Sequence, residues 1–544
     1  MPPGADLVIT GAAVYTMDAA RRWAGAVAIR GDRIAAVGTE AEVRERFPHA
    51  EEVLHLPGRM VLPGFQDAHV HPPFAGRYRL HVSLHDLPGV DAYRDAVASY
   101  AMAHPDEPWI FGGGWLMAHF PGGTPRKEQL DDVVPDRPVF LLNRDVHGAW
   151  VNSKALEMAG ITRETPDPWD GRIERDPATG EPTGTLHEGV AYSLADTHLP
   201  EPTGDEWERA ILVAQEHLHA LGITGWQDAW VTPATEDAYR ALADRRELTA
   251  RVVGALWWDR HRGPEQVEEL VARRARGSSG GFHPTAVKIM VDGVLENRTG
   301  ALLRPYCDAA GRETDVSGFD YVAREQLLEA VTALDARGFQ VHMHTIGDRA
   351  VRHGLDACEA ARTANGARDA RHHLAHIQVV HPDDVPRFRD LGVTANAQPY
   401  WAQHDPQMDE LTVPYLGPER ALQQYPFAAL HAAGATLAFG SDWSVSTANP
   451  LEEMEVAIRR ADPSARDAEP FLPDQRVTLP VALAAFTVGS ARVNFDDEAG
   501  SLEEGSRADL VVLDRNLFEM PDATVADARA ELTIAAGRVV FQRR

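Results

Sequence analysis

Cysteine is nearly absent: there are two in 544 residues, Cys307 and Cys358. Two thiols cannot build a disulfide framework, and they suit a reducing compartment, with a single bridge left open. No apolar run approaches the ~20 residues of a membrane span. The opening stretch, MPPGADLVITGAAVYTMD, lacks the basic segment and following apolar segment of a secretory leader. The expectation is a cytoplasmic protein that does not enter the membrane. Basic residues are outnumbered, 53 against 81 acidic ones, for a formal net charge of −28. That balance opposes nucleic acid and anionic membrane as partners, since both require a basic footprint. It favours a small-molecule partner. Internal repeats and low-complexity tracts are missing as well. What remains is an ordinary globular mixture, 44% hydrophobic and 25% charged. A chain this long can bury a large core without disulfides or a structural metal.

The first sixty residues read as short strands punctuated by Gly, Asp and Pro, and so do the last fifty, GSRADLVVLDRN and ELTIAAGRVVFQ among them. Neither end is large enough for a core of its own. The expectation is one small β-sandwich built from both, residues 1–62 with 490–544. Between them, apolar β-type runs recur at 61–71, 222–230, 248–258, 285–293, 339–347, 371–378, 392–399 and 436–443. Helical patterns separate most of them, as at 324–338 and 383–391. Eight such runs with crossovers predict an α/β fold, a parallel (β/α)₈ TIM barrel over 63–489. The gap between the first and second runs is about 150 residues, far longer than one βα unit requires. Residues of roughly 75–210 are therefore read as an inserted subdomain after strand one, where such barrels place specificity.

The chemistry-bearing residues fall at the ends of these runs. His69 and His71 in DAHVHP are two apart on a strand and face one side. Taken alone they are a weak signal, and solvated loop histidines are the plainer reading. VHMHTIGD offers His342 and His344, RHHLAHIQ offers His376 with His372 on the same face further back, and FGSDWS offers Asp442. Singly, each has a bland reading as a hydrogen-bonded histidine or a capping carboxylate. Together, imidazoles and one carboxylate at the ends of strands one, five, six and eight converge on one barrel mouth and can hold a cation such as zinc. Lys288 lies among Val, Ile and Met, where a charged amine is costly. It either pairs with a carboxylate such as Asp292 or, as the neutral amine, adds carbon dioxide to give a carbamate able to bridge two cations.

Nine motifs spread over nearly the whole chain resemble the amidohydrolase superfamily, and more narrowly its family 3, which includes the N-substituted formamide deformylases. They are PGFQDAHVHP, GGGW, LDDVVPDRPVFLLNRDVHGAWVNSKAL, GTLHEGVA, KIMVDGVLENRTGALLRPY, HMHTIGDRA, HHLAHIQ, GSDWSVSTANPLEEM and GSLEEGSRADLVVLD. The resemblance implies a mononuclear or binuclear metal site. His69 and His71 match the first-strand pair, Lys288 the bridging lysine, His344 the fifth-strand ligand, His376 the sixth-strand ligand and Asp442 the eighth-strand aspartate. The family's fifth-strand motif centres on His344 and not on His342. ARVNFDDEAGSLEEG departs from the family's usual turn before the closing sheet, which touches the domain junction and not the chemistry.

The expected reaction is hydrolysis of an amide C–N bond, of the N-substituted formamide or N-acyl type. One or two divalent ions, zinc by expectation, generate hydroxide; Asp442 is the general base and His376 assists in orienting substrate. Trp115, His147, Glu188, Trp230, Arg298 and Tyr400 are candidate substrate contacts, each with plain packing or capping as its bland alternative. A deaminase or cyclic amidase of the same superfamily is the nearest alternative reading, although HMHTIGDRA lacks the His-x-x-Glu pattern of the deaminases. A non-catalytic regulatory or ligand-binding barrel, and a metal-free barrel with structural histidines, are the alternatives of another class. A small-molecule amide is the expected partner, and a homodimer the default assembly.

Overall fold

A computed structural model describes residues 4–85 and 87–544. The chain opens with five strands: β1 (Ala5–Tyr15), β2 (Trp23–Arg30), β3 (Arg33–Gly38), β4 (Ala50–His55) and β5 (Met60–Pro63). Three more close it, β20 (Leu510–Leu513), β21 (Ala530–Ala535) and β22 (Arg538–Gln542). All eight belong to one mixed sheet, in the order β22-β21-β20-β5-β1-β2-β3 with β4 beside β1, in place of two separate sheets. The sheet curls back on itself: Arg33 forms a bridge with Arg507, and Ile34 donates its N–H to the Ser506 carbonyl. Alternation places Leu7, Ile9, Val14, Val27 and Ile29 on one face, in a shared apolar cluster with Val61, Leu510, Val512 and Ile534 from the other end of the chain. The opposite faces of Met60, Leu62, Val511 and Leu513 join the barrel's core.

The barrel begins at β6 (Phe65–Val70), which is buried along its whole length. It then waits through the insertion. That segment has its own six-stranded sheet: β7 (Val82–Ser83), β8 (Ile110–Trp115), β9 (Val139–Asn143), β10 (Gly148–Val151), β11 (Gly171–Arg175) and β12 (Pro182–Glu188). The barrel resumes with β13 (Ile223–Val231), β14 (Arg251–Trp257), β15 (Phe282–Met290), β16 (Gln340–Thr345), β17 (His373–His376), β18 (Thr394–Ala397) and β19 (Leu437–Phe439). Every neighbouring pair from β6 to β19 is parallel. Each barrel strand falls within or against one of the eight apolar runs, and the helices Arg324–Ala336 and Val385–Leu391 occupy two of the expected crossovers.

The seam between β19 and β6 lacks a ladder and is held by other contacts. The Asp442 N–H donates to the His69 carbonyl at 2.7 Å, and the Ser441 N–H to the Asp67 carboxylate at 3.1 Å. A side chain at Gly440 would put its Cβ 2.5 Å from the His69 nitrogen, so only glycine admits this approach. Cys307 and Cys358 are both buried and unbridged. Among the described residues, no helix is long and apolar enough to cross a membrane.

Candidate active site

At the C-terminal mouth of the barrel, His69 and His71 leave the end of β6 and meet Asp442, which follows β19. Asp442 Oδ1 lies 3.2 Å from His69 Nε2 and 2.9 Å from His71 Nε2. These close approaches are not hydrogen bonds: His69 Nε2 and Asp442 Oδ1 are buried with no hydrogen-bond partner. Lone pairs turned toward one another in a buried site are costly unless a cation stands among them. One donor atom from each of the three residues lies within 4.8 Å of the other two. The donor set is nitrogen and carboxylate oxygen, which suits zinc and related ions.

His376 and His344 flank this group. The His376 ring centroid is 4.6 Å from that of His69 and 4.4 Å from that of His344. His376 Nδ1 is another buried atom without a partner, 3.9 Å from Asp442 Oδ2. His344 Nε2–H donates to the Gly293 carbonyl at 3.2 Å, which leaves Nδ1 as its lone-pair nitrogen. Lys288 is 2% exposed and stands on β15 in register with His342 of β16. Burial pushes its amine down to about 7, against the pull of Asp442. The alternative pairing of Lys288 with Asp292 does not form. Asp292 is taken up by the N–H groups of Ala301, Ile346 and Gly347, at 2.8, 3.0 and 2.8 Å, and so fastens the loop after β15 to the loop after β16.

Backbone strain concentrates here. Asp442, His376, Ile377 and Glu188 have φ of 52°, 75°, 43° and 55°, a region that residues with a Cβ seldom occupy and that recurs at functional sites. The turn at His376 also overturns one expectation. Strict alternation puts His372 on the face of His376, but the left-handed conformation at His376 and Ile377 breaks the alternation. His373 lines the interior instead, while His372 bonds Asp335 at 3.1 Å and accepts from the Val341 N–H.

Of the candidate substrate contacts, three reach this mouth. His147, carried by the insertion, bonds Glu188 at 2.9 Å, with its ring 5.4 Å from that of His344. Glu188 also accepts from Thr299 Oγ1 at 2.8 Å. Trp230 sets its ring edge to face with His71 at 6.3 Å and is sandwiched between Phe74 and Trp257. The other three are placed elsewhere. Trp115 is a core residue of the insertion, packed on Phe120 and Trp150 with its indole N–H donating to the Leu141 carbonyl. Arg298 is exposed and lies over the Tyr415 ring. Tyr400 is half-buried against the barrel core; its neighbour Trp401 makes the contact, stacked on His376 at 5.3 Å and 9°. Trp401 stands in none of the motifs, and His373 stands in HHLAHIQ but on the face that strict alternation turns away from His376; a one-residue shift separates each from Tyr400 and His372.

A model described as the amidohydrolase family matches residues 52–541. The Arabidopsis thaliana protein LONG AFTER FAR-RED 3 is 31% identical over 95% of this chain and 88% of its own length. The N-substituted formamide deformylase of Arthrobacter pascens is 29% identical over 99% of this chain and 98% of its own. Among solved structures, an uncharacterized metal-dependent hydrolase from Pyrococcus horikoshii superposes with a TM-score of 0.74 at 25% identity. It covers 95% of this chain and 99% of that one.

Proposed function

Because the chain belongs to the amidohydrolase family, hydrolases of carbon–nitrogen bonds, we propose that it hydrolyses a small-molecule amide of the N-substituted formamide or N-acyl type. The single observation that carries the metal-dependent form of this reading is the convergence of His69 Nε2, His71 Nε2 and Asp442 Oδ1, with His69 Nε2 and Asp442 Oδ1 left without a hydrogen-bond partner. The full-length similarity to a formamide deformylase supports the amide class.

His69, His71 and Asp442 would hold one divalent ion, zinc by preference. His344, His376 and a carboxylated Lys288 would hold or share a second. When bound, such an ion lowers the pKa of a water toward ~7 and polarises an amide carbonyl. Asp442 accepts the proton of the attacking water as the C–O bond forms and returns it to the leaving nitrogen as the C–N bond then breaks, and the products are an acid and an amine. A carboxylate has two oxygens, and here one faces the first-strand histidines while the other turns toward His376. His376, held parallel to Trp401, orients the carbonyl. Trp230 and His147 border the space in which the rest of the substrate lies; a small-molecule partner accords with the charge balance, and a cytoplasmic setting with the two unbridged cysteines.

The test is metal content per chain together with turnover of a panel of N-formyl and N-acetyl amides, before and after chelation. One or two zinc ions per chain and activity lost on chelation and restored by zinc are expected. Asp442→Asn should keep zinc through the histidines and lose ~10²–10⁴-fold in kcat. Loss of zinc with normal turnover per remaining ion would remove Asp442 as the base, and chelation without effect would remove the metal.

A further inference from the structure

Beneath the mouth, the barrel is filled by an unusually polar layer in which every side chain is fully or almost fully buried: Gln227, Gln340, His342, His373 and Asn396. We infer that Gln227, Gln340, His342, His373 and Asn396 form a hydrogen-bonded relay, anchored on backbone carbonyls through Asn396 at one end and Gln340 at the other, that fixes His69 with its proton on Nδ1 and its lone pair on Nε2. The purpose of that arrangement, presenting Nε2 to an ion, rests on the metal-site reading above; the proton order itself does not.

The order follows from groups that can only accept. Asn396 Nδ2 lies 2.9 Å from the Ala68 carbonyl and 3.0 Å from His373 Nδ1. A carbonyl oxygen has no proton to give, so this atom is the amide nitrogen and it donates to both. Gln398 Nε2, donating to Asn396 Oδ1 at 3.2 Å, agrees. His373 Nδ1 is therefore an acceptor, and the neutral ring carries its proton on Nε2, which donates to Gln227 Oε1 at 2.9 Å.

The second anchor reaches the same result independently. Gln340 Nε2 donates to the carbonyls of Arg371 and Val493 at 2.6 and 2.8 Å, so Gln340 Oε1 is its acceptor end and receives Gln227 Nε2 at 3.0 Å. That turns Gln227 Oε1 toward both histidines. His342 Nδ1–H donates to it at 2.7 Å, which leaves His342 Nε2 as a lone pair 2.8 Å from His69 Nδ1. His69 must supply the proton of that bond, and its free nitrogen is Nε2, the atom that faces Asp442. His342 and His373 are fully buried, and their hydrogen-bond partners are amides and imidazoles with no carboxylate among them; a buried cation without a counter-charge is costly, so both rings are neutral. A first-layer imidazole whose second nitrogen is already spoken for loses no freedom when it binds an ion.

The experiment uses the full chain, stripped of metal and labelled with ¹⁵N-histidine, with His69 resonances identified by their loss in His69→Gln. A protonated Nδ1 and an unprotonated Nε2 at His69 are expected; a proton on Nε2, or a rapidly averaging mixture, overturns the relay. In a second arm, zinc affinity is measured by chelator competition. Gln227→Met keeps the volume but removes the acceptor, and should weaken zinc binding by ~10–100-fold with unchanged circular dichroism. Gln227→Glu keeps an acceptor oxygen for both N–H groups and should retain the wild-type ¹⁵N pattern at His69. A folded Gln227→Met that binds zinc like wild type overturns the inference, and should that variant not fold, the ¹⁵N result on the unsubstituted chain decides. A chain that takes up no zinc at all sinks the metal reading while the metal-free spectrum still judges the relay.

Discussion

His147 Nδ1 and Glu188 Oε2 meet at 2.9 Å, with both side chains almost wholly shut off from water. Burial by itself would drive the proton off His147, but the charge and hydrogen bond of Glu188, with Asp145 behind it, outweigh burial and hold the imidazole up at about 9. Burial would likewise raise Glu188, yet His147 and Thr299 keep it below its ordinary value. The histidine's contribution to stability is thus full below its ordinary 6.5 and is lost as pH rises through about 9. The carboxylate's is present above its ordinary 4.5 and lost as pH falls through its lowered value. In the metal-free chain, Glu188→Gln should cost ~3–5 kcal/mol near pH 6, and the deficit should shrink above pH ~9. Urea unfolding at the two pH values checks this, and an equal deficit at both would show that the pair is not ionised.

Lys288 leads to a second expectation. With its amine pushed down to about 7 by burial, the neutral form that adds carbon dioxide dominates in mildly alkaline solution. Zinc reconstitution of the metal-free chain at pH ~8 should recover more hydrolytic activity in bicarbonate than in buffer depleted of carbon dioxide. Lys288→Met should lose most activity and show no such difference. Equal recovery by the wild-type chain in both buffers counts against the carbamate.

The two tryptophans that the structure separates give a third. Trp115 is 1% exposed and locked among Phe120 and Trp150, so Trp115→Ala should cost ~3–5 kcal/mol of stability and leave KM of the folded fraction close to wild type. Trp401→Ala, at a half-buried ring stacked on His376, should barely change Tm and should alter kcat/KM. Melting curves and kinetics on one amide suffice. A Trp115→Ala chain of normal Tm with a raised KM would reverse the assignment.

Much of this molecule could be read without coordinates. Short apolar runs located all eight barrel strands, because a strand buried on both faces is rich in apolar side chains. The meeting of His69, His71 and Asp442, flanked by His344 and His376, was legible because each stands toward the end of such a run. Lys288 stood out because a lysine among Val, Ile and Met has few structural excuses. Parity failed where the backbone left the extended region: at His376 the left-handed turn substituted His373 for His372 in the interior. Aromatic residues were the least legible, since Trp115, Tyr400 and Trp401 look alike in sequence and differ only in what surrounds them.

Residue type and spacing along the chain determined the barrel, the family and the atoms available to hold an ion, since these depend on local periodicity and chemistry. Which lone pairs face one another, which nitrogen of His69 is free, and whether Asp292 serves Lys288 or three backbone amides were decided only by tertiary structure. Each of those depends on the meeting of groups far apart in the chain, such as His69 with His342 or Gln227 with His373. Hydrogen-bond direction at such a meeting is set by the partner and not by the residue itself.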